Sequence, residues 1–192
     1  LTAVQRSFAA NGLAVVDVQE LPTHGGSLRV FAARADATAH PQATPEGAAR
    51  VAQLLATEAA AGLLGEGFYS DFQPQALRIK RELLSFLLQC QAEGLTVGAY
   101  GAAAKGNTLL NFAGVRPDLL PYVADKNPAK QGQHLPGSRI PIVDEAHLRA
   151  HRPDRVLILP WNLRDEVAAQ LDYVREWGGK LVVAIPRLEV LE

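Results

Sequence analysis

The spacing of apolar residues changes character near residue 95. Beyond that point short apolar runs alternate with stretches of helical period. The runs at 96–100, 122–125, 155–159 and 180–185 read as strands, and 105–112, 144–150 and 163–177 read as helices. Apolar strands alternating with helices predict a parallel sheet covered on both faces. In the last helix Leu163, Val167, Leu171 and Val174 share a face. Asn162 reads as its N-cap, Asp165 lies in its first turn, and Gly178-Gly179 ends it.

Before residue 95 the pattern is different. Val4, Phe8 and the Asn11-Gly12 stop predict a short amphipathic helix. Residues 13–21 and 27–33 read as two strands around the turn Pro22-Thr-His-Gly-Gly26, which suggests a hairpin at a sheet edge. A hairpin and one helix cannot form a core alone, so this segment is expected to need a partner, in this chain or in another domain. Residues 37–45 read as a linker that ends in Thr44-Pro45, an N-cap followed by a first-turn proline. Val51, Leu54, Leu55 and Ala59 then recur at helical spacing. A second helix is expected from Asp71 or Phe72 to Glu93, with Leu77, Leu84, Leu87 and Leu88 on one face and Gly94 as its stop. The two helices are expected to form an antiparallel pair connecting two domains. The resulting division is 1–36, 37–94 and 95–192. The expected class is α/β, with a Rossmann-like parallel-sheet domain at the end of the chain.

Composition narrows this picture. Of 192 residues, 48% are apolar and 20% charged, enough to build a core rather than a disordered chain. A net charge of −1 argues against a general nucleic-acid surface and leaves only local basic clusters. No apolar run approaches about 20 residues, and no basic-then-apolar leader is present. No membrane span is expected, and cytoplasm is the expected compartment. Cys90, the single cysteine, permits no internal disulfide or Cys-based zinc site, and it reads as a buried helical thiol. The chain contains no methionine and begins at Leu1, which leads to the expectation of a processed chain or a piece of something longer.

The segment Tyr100-Gly-Ala-Ala-Ala-Lys-Gly-Asn-Thr108 points most directly to a ligand. It reads as a Gly-rich turn between a strand and a helix, a place where N–H groups can face a phosphate. Gly101 and Gly106 have P-loop spacing, but Lys105 precedes the second glycine and Asn107-Thr108 replaces Lys-Ser/Thr. The dinucleotide fingerprint is absent too, although Asp125 ends the next strand where a ribose-binding acid would sit. A nicotinamide enzyme and a plain packing turn both remain alternatives. Lys105, Asp125, Lys126 and Asn162 all follow strands, where ligands of parallel sheets bind. The loop Lys126-Asn-Pro-Ala-Lys-Gln-Gly-Gln-His134 adds Lys130 and His134. These groups make either a phosphate-binding rim or an ordinary solvated one.

His24, beside Gly25 and Gly26, is a candidate general base or substrate contact, or else a hairpin histidine of no consequence. His40, His134, His147 and His151 show no metal-ligand spacing with carboxylates or Cys90. Ser27 and Ser138 lack a nucleophile-elbow context. Trp161 reads either as core packing, the favoured reading, or as a ring facing a ligand, with Asn162 carrying any polar contact.

Several segments together resemble the C-terminal part of the S-adenosylmethionine-dependent sugar C-methyltransferases, which act on nucleotide-linked deoxysugars. They are Leu21-Pro-Thr-His-Gly-Gly-Ser-Leu-Arg29, the Tyr100–Thr108 turn, Asp125-Lys-Asn-Pro-Ala-Lys-Gln-Gly132, Pro136-Gly137, Ile140-Pro-Ile142 and Ile158-Leu-Pro-Trp-Asn-Leu163. The resemblance implies a zinc domain, a methyl-donor domain and a Rossmann-like C-terminal domain. Zinc cysteines and a donor-binding loop are not found in this chain. Residues 1–36 resemble the last helix and strand pair of the donor domain. The resemblance implies that a base removes the proton at C3 of a 4-keto sugar and that the enolate attacks the donor methyl. His24 is then the catalytic candidate. Gly25, Gly26, Tyr100, Gly101, Lys105, Gly106, Asn107, Lys130 and Asn162 are the substrate-binding candidates, with neither a cofactor-binding residue nor a metal ligand assigned. The implied partner is a nucleotide-linked sugar, with neither nucleic acid nor membrane. The implied cofactors, S-adenosylmethionine and zinc, belong to the longer enzyme, and this piece is expected to be inactive alone. A non-catalytic nucleotide-binding Rossmann module and an oligomerisation module, forming a homo-oligomer, are the alternatives.

Overall fold

The computed structural model describes residues 1–23, 26–37 and 39–191. The chain divides into two units, Leu1–Phe72 and Gln73–Glu192.

The first unit holds α1 (Thr2–Ala9), β1 (Leu13–Leu21), β2 (Ser27–Arg34), α2 (Pro45–Ala60) and a 3₁₀ turn, Glu66–Tyr69. β1 and β2 form the expected antiparallel pair. Its register shifts between Val15 and Asp17, and the extra residue leaves Asp17 and Val18 both buried. Arg50 of α2 answers Asp17 with two hydrogen bonds, 2.9 and 2.7 Å. α2 starts as expected, with Thr44 Oγ1 accepting the Gly47 N–H at 3.0 Å. A Cβ on Gly47 would lie 2.9 Å from the Val16 carbonyl oxygen, so only glycine lets α2 sit this close to β1. Leu1, Val18 and Val51 form the small core, and Glu58 of α2 accepts from both the N–H and the hydroxyl of Thr2. α2 thus goes with the hairpin, whereas all but the first residue of the next helix belongs to the second unit.

That helix is α3 (Phe72–Ala92). It is followed by β3 (Val97–Tyr100), α4 (Ala104–Ala113), β4 (Val123–Ala124), β5 (Ile142–Val143), α5 (Glu145–His151), β6 (Arg155–Ile158), α6 (Arg164–Gln170), β7 (Lys180–Val183) and β8 (Glu189–Leu191). The sheet order is β5-β4-β3-β6-β7-β8. All pairs are parallel except β7 with β8. This is a Rossmann-like α/β arrangement.

Side chains alternate across the sheet as a period of two requires. Val97, Ala99, Leu157 and Val182 face a cluster with Leu83, Leu87 and Cys90 of α3 and Leu109 and Leu110 of α4. Tyr100, Val156, Ile158, Leu181 and Val183 face a second cluster with Leu148 of α5, Val167 of α6, and Leu171 and Val174. Cys90 is the buried thiol expected, with its pKa pushed up chiefly by that burial.

Three local expectations change. On α3, Leu83 and Leu87 are buried while Leu88 is 53% exposed, because the buried stripe runs 83, 87, 90 and Leu88 falls off it. The helix expected over 163–177 is broken into 3₁₀ turns at Trp161–Leu163 and Asp172–Trp177 on either side of α6. Asn162 is not its N-cap, since its side chain is engaged elsewhere.

Candidate functional site

The sheet order reverses between β3 and β6. From β3 the chain proceeds to β4 on one side, and from β6 to β7 on the other. A crevice opens at the carboxyl ends of the strands flanking such a switch point. Here its walls are the turn after Tyr100 and the segment after Ile158.

Two glycines set the crevice width. Gly101 has φ +87°, and a Cβ on it would meet Pro160 Cδ at 2.6 Å. A Cβ on Gly106 would meet Leu159 Cβ at 2.6 Å. Without side chains there, the first turn of α4 settles on the end of β6. Lys105 then reaches Asn162, 57 residues away, donating from Nζ to Oδ1 at 2.7 Å. The ammonium also lies 5.6 Å from the Trp161 ring centroid, within cation–π range.

The N–H groups of the turn itself are not free for an anion. Gly101 donates to the Ala124 carbonyl at 2.7 Å, Ala103 to Gly101 at 2.7 Å, and Ala102 to Asp125 Oδ2 at 2.7 Å. The N–H groups of Ala104, Lys105 and Gly106, in the first turn of α4, find no acceptor among the described residues. The positive end of the helix is therefore the open anion-facing feature.

Asp125 braces the turn. Its Oδ1 accepts from the Asn127 N–H at 2.8 Å, and Oδ2 accepts from Ala102 and from Lys130 Nζ at 3.2 Å. Lys130 also donates to the Ala102 carbonyl at 2.9 Å. Lys130 is thus a strut behind the turn. Asp125, at the position where a ribose-binding acid would stand, thus meets protein donors through both carboxylate oxygens. Among the described residues no group of three or more His, Cys, Asp or Glu is placed to hold a metal ion together.

The other candidates are dispersed. Tyr100 points to the opposite face of the sheet, its hydroxyl 3.5 Å from Glu145 Oε2, while Tyr173 donates to Glu145 Oε1 at 3.1 Å. Burial first, and then the Glu145 and Asp125 charges, push the Tyr100 phenol above its ordinary pKa, which suits a donor rather than a base. Asn107 Oδ1 accepts from Asn111, whose amide also donates to the Pro136 carbonyl at 2.9 Å. Asn111 Oδ1 would collide with a Cβ on Gly137, at φ +81°, so Pro136-Gly137 is the turn that α4 holds. Gly26 lies exposed in the first unit with φ +114°. The candidates His24 and Gly25 lie outside the described residues. Asn111, Glu145 and Tyr173 carried no spacing signal. Each matters through a partner brought near by folding.

A Rossmann-like domain whose switch point carries a lysine and an amide is the class that this fold and site define. Residues 22–186 match the family described as the C-methyltransferase C-terminal domain, and the chain belongs to that family. It is also 36% identical over 184 residues to the C-methyltransferase NovU of Streptomyces niveus, an alignment covering 96% of this chain and 42% of the relative. The chain thus spans less than half the length of that methyltransferase. Among the described residues no helix is long and apolar enough to cross a membrane.

Proposed function

We propose that this chain is the nucleotide-sugar-binding portion of a cytoplasmic, S-adenosylmethionine-dependent C-methyltransferase acting on a nucleotide-linked keto-deoxysugar. The observation that carries the reading is the Lys105–Asn162 contact across the switch point, beside three acceptor-free N–H groups of α4. A diphosphate answers both features, with negative charge for the ammonium and helix dipole and acceptor oxygens for the N–H groups. Lys105 is exposed and its present partner is neutral, so exchanging Asn162 for phosphate costs little. Asn162, once released, has an amide to offer the ligand.

In the longer enzyme the donor supplies an electrophilic methyl group, and its site is assigned outside the crevice described here. His24 is assigned to the sugar end as the base that takes the proton next to the keto group. This chain alone is accordingly inactive.

Calorimetric titration with thymidine diphosphate and a thymidine-diphosphate sugar tests the reading. Lys105→Ala should weaken binding by about 1–3 kcal/mol through loss of a charge-assisted contact. Unchanged affinity would remove the phosphate site from the crevice. Tight binding of S-adenosylmethionine by this chain would overturn the division of labour.

A further inference from the structure

A cavity of about 460 Å³ lies at the other end of the sheet, by the amino termini of its strands. Thr96 just before β3, Val97 of β3, Tyr122 before β4, and Pro141 before β5 contribute to its wall, together with His147 and His151 of α5. None of these residues belongs to the switch-point crevice.

The two histidines are four residues apart on one helix, so they share a face. Their rings stack at 3.7 Å between centroids with 17° between planes, and the Tyr122 ring meets His147 edge-on at 4.7 Å. His151 Nδ1 lies 2.9 Å from the His147 carbonyl oxygen. A carbonyl only accepts, so Nδ1 must carry the hydrogen. In the neutral ring Nε2 is then left with its lone pair, the arrangement that backbone carbonyls impose on metal-binding imidazoles. The carboxylate of Asp118 also lines the cavity, a favourable charge for a cation.

We propose that His147 and His151 form a two-imidazole site for a divalent transition-metal ion, with water completing the coordination. Imidazole nitrogen suits Cu²⁺, Ni²⁺ and Zn²⁺, and leaves Mg²⁺ and Ca²⁺ to oxygen sites. His151 keeps its Nδ1 bond to the His147 carbonyl, and the His147 ring turns out of the stack so that both rings converge on one ion. His147 is half-buried, so this turn gives up its edge-on contact with Tyr122 and leaves the rest of the core in place. The bound ion joins adjacent turns of α5, at the opposite end of the strands from Lys105.

The test is calorimetric titration of the tag-free chain with Ni²⁺, and separately with Mg²⁺. One Ni²⁺ per chain is expected, with no Mg²⁺ binding. His151→Ala and His147→Asn should each weaken Ni²⁺ binding at least about tenfold, since each removes one of two protein ligands. His40→Ala and His134→Ala should leave it unchanged. His151 is exposed, so its replacement should not impair folding. As a second readout, Ni²⁺ should raise the melting temperature of the parent chain and not that of His151→Ala. No Ni²⁺ binding, unchanged affinity in His151→Ala, or an equal loss in the His40 or His134 variant would each overturn the site.

Discussion

Replacing Asp125 with asparagine should loosen the crevice while changing the side chain's shape very little. The side chain is 12% exposed, and its carboxylate faces donors on both sides, Ala102 N–H at 2.7 Å and Asn127 N–H at 2.8 Å. An asparagine amide has one oxygen, so its NH₂ must confront a donor on the other side. Turned one way, it strands the N–H of buried Ala102, which water cannot rescue. Losing a hydrogen bond to a charged group costs about 1.5–3 kcal/mol. Losing the ion pair with Lys130, whose side chain is 40% exposed, adds at most about 1 kcal/mol. The total is about 2–4 kcal/mol, and Asp125→Ala should cost more because both N–H groups lose their acceptor. Trp161 and Trp177 are the two tryptophans of the chain and both lie in the second unit. Their fluorescence in urea therefore follows the unit that holds Asp125. With a slope of about 2 kcal/mol per molar urea, the midpoint should fall by roughly 1–2 M. A shift corresponding to less than about 0.5 kcal/mol would refute the bracing role. If Lys130→Ala cost as much as Asp125→Asn, the lysine's contacts with Asp125 and the Ala102 carbonyl, rather than the N–H contacts, would be the source of the stability.

Further outcomes follow from the same contacts. Gly106→Ala should lower stability by about 1–3 kcal/mol, because its Cβ would sit 2.6 Å from Leu159 Cβ. A melting temperature equal to that of the parent chain would show that α4 is not seated on β6 as described. Gly101→Ala adds backbone strain at φ +87° to a collision with Pro160, and its thermal midpoint should fall further than that of Gly106→Ala. In the first unit, the Asp17 carboxyl is held below its ordinary pKa chiefly by the hydrogen bond from Arg50, against the opposing effect of desolvation. Its contribution is complete above the unfolded-state pKa of about 4 and disappears as pH falls through the lower folded-state value. Amide exchange at Val18, corrected for the intrinsic rate, should lose protection across that interval. Arg50→Ala should flatten the profile, and an identical acid dependence in both proteins would dismiss the pair as its cause.

Much of the architecture was legible because local chemistry decides it. Thr44-Pro45 starts α2 whatever surrounds it, and glycines at 94 and 178 adopt the left-handed conformation that closes a helix. The strand–turn–helix of 96–113 follows from an apolar run, a glycine and a helical period. Other elements were not legible. β5 has two residues and β8 three, too few for a period to emerge, and each exists because a neighbouring strand offers it hydrogen bonds. Asn162 has the composition of an N-cap, but the nearby ammonium of Lys105 claims its oxygen.

Residue pattern alone is enough for the α/β class, the hairpin and the Gly-rich turn, and it singles out Lys105 and Asn162 as polar groups following strands. Tertiary structure decided that those two residues meet, because only the strand order sets β6 beside β3. It also decided that Lys130 braces the turn instead of standing free, and that Tyr100 turns to Glu145 on the other face. The physical reason is one of range. Caps, stops and periodicity depend on residues within a few positions of one another. A site assembled from chain segments 57 residues apart depends on which apolar faces bury each other, and that is settled only when the sheet forms.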